Sequence, residues 1–363
     1  MDKSKVWKIN LTKDASVDEL KEKTSKLLQA SNLLKIISKN KLVGVKQHFG
    51  EKGNKGYIKP EITKVVLNKV KERLGKPLLI ETNTLYREGE RSNTFDHLKI
   101  AYEHGFNYEN VGASIVIMDG LNGQVQRSVK IGGKHFKEVY VASDLPFFDS
   151  IIVLSHVKGH ALAGFGGAIK NMAMGFASRS GKLLQHADFK PSVRKKKCIA
   201  CGLCESACAY DAIKIKDGVW CFDKEKCVGC ACCYTSCPKE AISFNWGGTD
   251  DIFQEKLAEY AFGAIKDHRK NGKAIFINYI NHITAQCDCE LGENPVIYPD
   301  IAILASDDPV AIDKASFDLT KETFGKDIFK DLWSQTNCTR KLEHANALGL
   351  GNLEYEIENI EDI

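Results

Sequence analysis

With 363 residues, 43% of them hydrophobic and 27% charged, the chain is long enough for roughly two to three globular units and is neither disordered nor fibrous. Its 51 basic against 47 acidic residues leave a formal net charge of +4, too balanced for a nucleic-acid binder. The opening Met1 to Lys5 leads into no apolar signal core, and no later stretch reaches about 18 uninterrupted apolar residues. A cytoplasmic protein without membrane contact is therefore expected.

In chain order, a charged, helix-like opening (Ser16 to Ile37) precedes a short strand pattern, Lys41 to Gln47, which ends in a polar loop, His48 to Gly53. Pro60 to Leu74 reads as a helix, with Ile62, Val65, Val66 and Val70 at helical spacing and Gly75 as its C-cap. A buried strand at Pro77 to Glu81, a helix at Phe95 to His104 and strands at Ser114 to Met118 and Ser150 to Ser155 continue the alternation. After residue 245 it resumes with a helix at Ile252 to Lys270 and strands at Ala274 to Ile280 and Ile301 to Leu304. Such alternation predicts an α/β fold: a mostly parallel sheet with helices on both faces and ligands at the carboxyl ends of the strands, on the loops beginning at His48, Glu81, Asp119 and His156.

Ten of thirteen cysteines fall between 198 and 237. Cys198, Cys201, Cys204 and Cys208 form C-x2-C-x2-C-x3-C; Cys227, Cys230, Cys233 and Cys237 repeat it, and each run is followed by Ala-Ile (Ala212-Ile213, Ala241-Ile242). Two [4Fe–4S] clusters are expected, the fourth cysteine of each run reaching across to the other cluster; paired zinc sites are the alternative. The spacing resembles that of two-cluster bacterial ferredoxins, which implies one cube on Cys198, Cys201, Cys204 and Cys237 and another on Cys227, Cys230, Cys233 and Cys208. Ala209 stands where a proline often follows. Cys221 and Cys232 have no motif role and are read as small buried side chains, and Arg194 to Lys197 as a solvated basic run that could dock an acidic redox partner protein. The expected organisation is an α/β domain (1–190 and 246–363) with an inserted ferredoxin-like α+β module (191–245).

A second constellation follows the strand at Ser150: His156, Lys158, His160, then Gly164, Gly166, Gly167 and Lys170, with Asn171, Gly175, His186 and Asp188 beyond. Glycines let amides approach an anion, lysine supplies charge or a nucleophile, and histidine moves protons or ligates metal. We read His48, His160 and Lys170 as catalytic candidates, and Gly164, Gly166, Gly167 and Lys170 as cofactor-binding ones. Lys46, His48, Glu51, Lys52 and Lys55, then Glu81 to Thr84 with Arg87 and Arg91, add cationic loops that suggest an anionic small-molecule ligand. His282 with Cys287, Asp288 and Cys289 could bind a metal or act as a redox pair. Asp307 and Asp308 before Pro309 read as a helix cap.

Val43 to Gly50, Glu81 to Arg87, Lys158 to Lys170, Cys287 to Cys289 and Asp308 to Asp313 together resemble the domain of unknown function 362 family. That resemblance implies an α/β domain carrying a ferredoxin module. A more distant similarity, through His160, Ala163 to Phe165, Lys170 and His186, is to nickel-pincer lactate racemases, where such positions serve proton transfer, cofactor attachment and nickel ligation. It implies an additional metal or nucleotide cofactor; the glycine pair falls one residue earlier here. The functions expected are a redox enzyme or component relaying electrons to an anionic-ligand site, a non-enzymatic electron carrier or scaffold, or a racemase-like metal-dependent isomerase.

Overall fold

The structure is a computed structural model that describes all residues except 1–2, 87–88, 187–190, 209, 228–231, 245–249, 269–272, 335 and 361–363, and the side chains of 232, 235 and 244. Arg87, Asp188, Ala209, Cys230, the side chain of Cys232 and the last two positions of the helix expected to end at Lys270 thus lie outside the described residues.

An eight-stranded sheet organises the chain. Numbered in chain order, its strands are β1 (Ser4–Asn10), β2 (Leu42–Lys46), β3 (Lys76–Glu81), β4 (Ile115–Ile117), β5 (Ser150–His156), β6 (Lys273–Ile280), β7 (Ala302–Ser306) and β8 (Tyr355–Asn359). They lie in the order β8-β1-β7-β6-β5-β2-β3-β4. Every neighbouring pair is parallel except those made by β7, which runs antiparallel to β1 and β6, so the sheet is mostly parallel as expected. Successive β5 residues face opposite layers, as the two-residue period of a strand requires. Ile151 and Val153 join a core beneath helices Ala168–Gly175, Asp250–His268 and Pro309–Phe324; Ile152 and Leu154 join the other, beneath Val17–Ala30 and Pro60–Glu72. Sheets covered on both sides carry continuous apolar strands, which is why β5 and β6 were legible. Each fully buried Val, Ile or Leu adds roughly 1.5–3 kcal/mol.

One local reading needs correction, and one strand was not foreseen. Helix Pro60–Glu72 closes through a left-handed Leu74 (φ 59), not through Gly75, which only returns its N–H to Val70 O at 3.0 Å. Residues 4–10, which carry no strand signal, form β1 within the sheet, where only Val6 and Ile9 are buried. Asp308 caps its helix as expected, its carboxylate accepting from Val310 N at 2.8 Å and Ala311 N at 2.9 Å. No helix among the described residues is long and apolar enough to cross a membrane.

The chain order β2-β3-β4 runs outward to one side of β2, while β5 and β6 are added on the other. The order therefore reverses between β2 and β5, where an open α/β sheet leaves a crevice at its strand ends.

Candidate functional site

Between β5 and β6 the cysteine segment leaves and returns at one place: Pro191–Val193 pairs antiparallel with Ile242–Phe244. Inside it lie a hairpin, Ile213–Lys216 with Val219–Phe222, and short helices Leu203–Ser206 and Cys232–Thr235. The repeated Ala-Ile pairs now have a physical role. Ala212 N donates to Cys208 Sγ at 3.3 Å and Ala241 N to Cys237 Sγ at 3.2 Å, while Ile213 and Ile242 are buried in the segment's own core. Cys198, Cys201, Cys204 and Cys237 line one cavity with about 330 Å³ of empty space, together with Ile215 and Ile242. Cys204, Cys208, Cys233 and Cys237 all pack into the segment's apolar core. No disulfide joins the described cysteines, and no group of three or more His, Cys, Asp or Glu among the described residues is arranged to hold a metal ion. Cys221 is half-exposed on the hairpin, not buried, because that two-stranded ribbon has only one covered face. Arg194 to Lys197 are exposed, as expected of a solvated run, with Lys197 3.4 Å from Glu240.

The larger cavity, about 1240 Å³ of empty space partly open to solvent, sits at the β2/β5 reversal. Its wall combines the ends of β2, β3 and β5, the loops after them, helices Ala168–Gly175 and Arg179–His186, and the turn at Cys287 to Glu290. Of the expected candidates, His48, His160, Lys170, Gly166 and Gly167 line it, as do His156, Lys158, Lys46, Arg91, His186, Cys287, Asp288 and Cys289. Gly164 does not; left-handed (φ 70), it pairs with His160 in a small hairpin whose far side packs on Cys338. His282 is also absent from the wall, lying beside Asp300, and Asp119 instead supports Asn83 from behind at 2.9 Å.

The cationic loops are largely neutralised from within. Lys46 Nζ lies 2.9 Å from Glu81 Oε2 and 2.8 Å from Asn171 Oδ1; Arg91 pairs with buried Glu51 at 3.0 Å; Lys52 and Lys55 are exposed and pair with Glu90 and Glu293. Lys158 lies 2.8 Å from Asp288, whose carboxylate also meets His156 Nδ1 at 3.0 Å, while His156 Nε2 donates to Asn281 O. Burial would raise the Asp288 carboxyl, but His156 and Lys158 hold it well below the usual range. Lys182 donates to Thr82 Oγ1 at 2.6 Å and Ala177 O at 2.8 Å, and forms no ion pair among the described residues.

The glycine loop meets an anion of its own chain. Asp313, fully buried on a later helix, accepts from Ala168 N at 2.6 Å, Ile169 N at 2.9 Å and Asn278 Nδ2 at 2.8 Å. A Cβ on Gly167 would stand 2.3 Å from its Oδ1, so glycine is required there by close approach. Asp313 fills the anion position at this helix N-terminus.

Three imidazoles on the wall are held neutral. His48 accepts Gly50 N–H at Nδ1, and burial followed by the Arg91 charge keeps it well below its ordinary range. His160 accepts from Leu162 N and Ala163 N at Nδ1; it and His186 each pack on Phe253, at 6.1 and 4.8 Å between ring centres. Burial, then the Lys170 charge, lowers both, His186 to about 3. Accepting at Nδ1 places the proton of His48 and His160 on Nε2.

Lys170 donates to Cys287 Sγ at 2.9 Å. A hydrogen bond from the Cys289 thiol lowers Cys287 well below an ordinary thiol, against burial, and Lys170 lowers it further. The same bond, with burial, raises Cys289. Burial opposes the Lys170 ammonium, but the two sulfurs keep it above the ordinary lysine range. The wall thus sets the Lys170 ammonium against the Cys287 sulfur, with Cys289 two residues along the same turn. Sequence reasoning missed Asp313, Lys182, Tyr86 and Glu290 as site components. The Asp308 to Asp313 stretch was the available signal for the first.

An open, mostly parallel α/β sheet with a charged cavity at its reversal point and a cysteine-rich excursion beside it defines the fold class as doubly wound. The chain belongs to the family described as domain of unknown function (DUF362), which matches residues 43–318. No curated protein matches it. Among solved structures, a Thermotoga maritima protein from a structural genomics programme is similar at 11% identity and a TM-score of 0.41, over 93% of this chain and 60% of that one. The lactate racemase apoprotein of Thermoanaerobacterium thermosaccharolyticum is similar at 12% identity and a TM-score of 0.35, over 76% of this chain and 50% of that one. Likenesses of this size carry no argument about chemistry.

Proposed function

We propose that the protein is an iron–sulfur redox enzyme or enzyme component in which residues 191–245 form a two-cluster module serving the cavity of the α/β part, residues 1–190 and 246–363. The observation that carries this is the gathering of Cys198, Cys201 and Cys204 with the distant Cys237 around one cavity, the grouping a crossed pair of four-cysteine sites requires. Cys227, Cys230, Cys233 and Cys208 are the ligands proposed for the second cluster. When bound, such clusters supply single electrons. The chain's own residues do the rest. Ala212 and Ala241 orient two of the cysteine sulfurs; Leu85 belongs both to the module's core and to the cavity wall, so module and cavity share a side chain. Neutral His48 and His160 can exchange protons with a substrate, Lys170 holds a sulfur anion, and Lys182, which forms no ion pair among the described residues, would meet an anionic substrate. Exposed Arg194 to Lys197 would dock an acidic redox protein.

The test is an iron and acid-labile sulfide inventory of protein purified without oxygen. About eight irons per chain are expected, and roughly half that after Cys237→Ser. Stoichiometric zinc without iron would overturn the reading.

A second reading, a racemase-like isomerase, is favoured by one observation, the two neutral imidazoles His160 and His186 that line the cavity and both pack on Phe253. It requires nickel or a bound nucleotide in the same inventory.

A further inference from the structure

The Cys287 to Cys289 turn has a chemistry that electron relay alone does not use. We propose that Cys287 and Cys289 are a nucleophile-and-resolver dithiol that reduces small-molecule disulfides admitted to the cavity, closing to an intramolecular disulfide as it does so. Four features place the two sulfurs for this. The turn is closed by Glu290 N–H donating to Cys287 O at 3.0 Å, and Asp288 between the cysteines is pinned by His156 and Lys158, which fixes the turn that brings the sulfurs together. Cys289 lies two residues along the same turn and lowers the Cys287 thiol while its own rises. Lys170 sets an ammonium 2.9 Å from Cys287 Sγ, the electropositive setting that makes a thiolate. Both sulfurs line a cavity large enough for a small molecule, although Cys287 is otherwise buried.

The exchange balances as follows. Cys287 thiolate attacks one sulfur of R–S–S–R; that S–S bond breaks, a mixed disulfide forms on Cys287 and RS⁻ leaves. Cys289 gives up its proton to the released RS⁻ and attacks Cys287 Sγ, expelling the second RS⁻, which takes a proton from solvent. Two electrons have passed to the substrate and the chain holds a Cys287–Cys289 disulfide. Reopening it takes two electrons and two protons, which two one-electron iron–sulfur carriers can deliver. Only this return half rests on the proposed clusters.

The first half is testable without them. Protein purified without oxygen is incubated with glutathione disulfide, blocked with N-ethylmaleimide and digested with trypsin; the peptide 274–314 contains Cys287 and Cys289 and no other cysteine. The expected peptide is unlabelled and lighter by two hydrogens. Cys289→Ser should stop at a glutathione adduct on Cys287, and Lys170→Met should slow that adduct about tenfold at neutral pH. Maleimide on both cysteines of the unaltered protein, or an adduct forming as fast on Cys289 in Cys287→Ser, overturns the proposal. Iron content measured on the same sample separates this outcome from failure of the cluster reading.

Discussion

Replacing Asp313 by alanine tests whether the glycine loop is completed internally. Two helix N–H groups, those of Ala168 and Ile169, lose their acceptor in a fully buried place; Asn278 keeps Ser316 Oγ at 3.0 Å. Orphaned buried donors cost about 1–3 kcal/mol each, so the gross loss is roughly 2–6 kcal/mol. Against it stands relief of the carboxylate's burial, which already pushes the Asp313 carboxyl above its ordinary value. A net loss of about 3 kcal/mol is expected in urea unfolding followed by helical circular dichroism at pH 7. Asp313→Asn keeps one acceptor oxygen and should lose only about 1 kcal/mol. Because Lys170 lies on the first turns of that helix, the alanine variant should also slow alkylation of Cys287, and acetate should restore part of both losses. Alanine within about 0.5 kcal/mol of the parent, with no response to acetate, would refute the internal-anion account.

Acid should destabilise the protein through His48, His160 and His186. Each is neutral in the fold and takes a proton once unfolded below about pH 6.5, so the contribution is complete above that pH and falls by about 1.4 kcal/mol per unit per histidine towards their lower folded values. His186→Gln should remove about one proton from the slope of unfolding free energy against pH, and an unchanged slope would contradict its burial as a neutral ring. Gly175→Ala would set a Cβ 1.8 Å from Lys46 Cε and part that lysine from Glu81, costing about 3–5 kcal/mol, the penalty of breaking a buried ion pair. The double variant Lys46→Met with Glu81→Gln should lose much less than Lys46→Met alone in thermal unfolding, because no buried charge is then left without its partner. Burial lowers Lys182 from the ordinary lysine range, so affinity for an anion such as phosphate should weaken with rising alkaline pH earlier than an exposed lysine would allow, and Lys182→Met should abolish that dependence in calorimetry.

How much of this was legible in sequence follows from how local each signal is. Strands β5 and β6 are continuous apolar runs, and three of the four loops expected at strand ends do reach the cavity. The Ala-Ile repeats after the cysteine runs were visible, but their role as sulfur donors is a matter of hydrogen-bond geometry. β1 was hidden because Lys5 and Lys8 interrupt its alternation and its burial depends on β7 and β8, some 300 residues away. Asp313 was hidden for the same reason, since its amides lie 145 and 144 positions back along the chain. That Lys46 and Arg91 are already paired was not legible, because neither sequence neighbour reveals Glu81 or Glu51 as a buried partner.

That pairing changes what the cavity can select. Among the described residues five cations, Lys46, Arg91, Lys158, Lys170 and Lys182, face it. Glu81, Glu51 and Asp288 hold three of them, and Cys287 holds the fourth. A buried, paired charge is a poor attractant for a passing anion because its partner cancels most of its field; what it offers is a fixed donor that needs no reorganisation when a substrate arrives. The cations therefore serve position more than affinity, with Lys182 the exception. The field of Lys170 falls on a sulfur of the chain itself, which directs the site's reactivity to Cys287 and leaves shape, not net charge, to decide what enters.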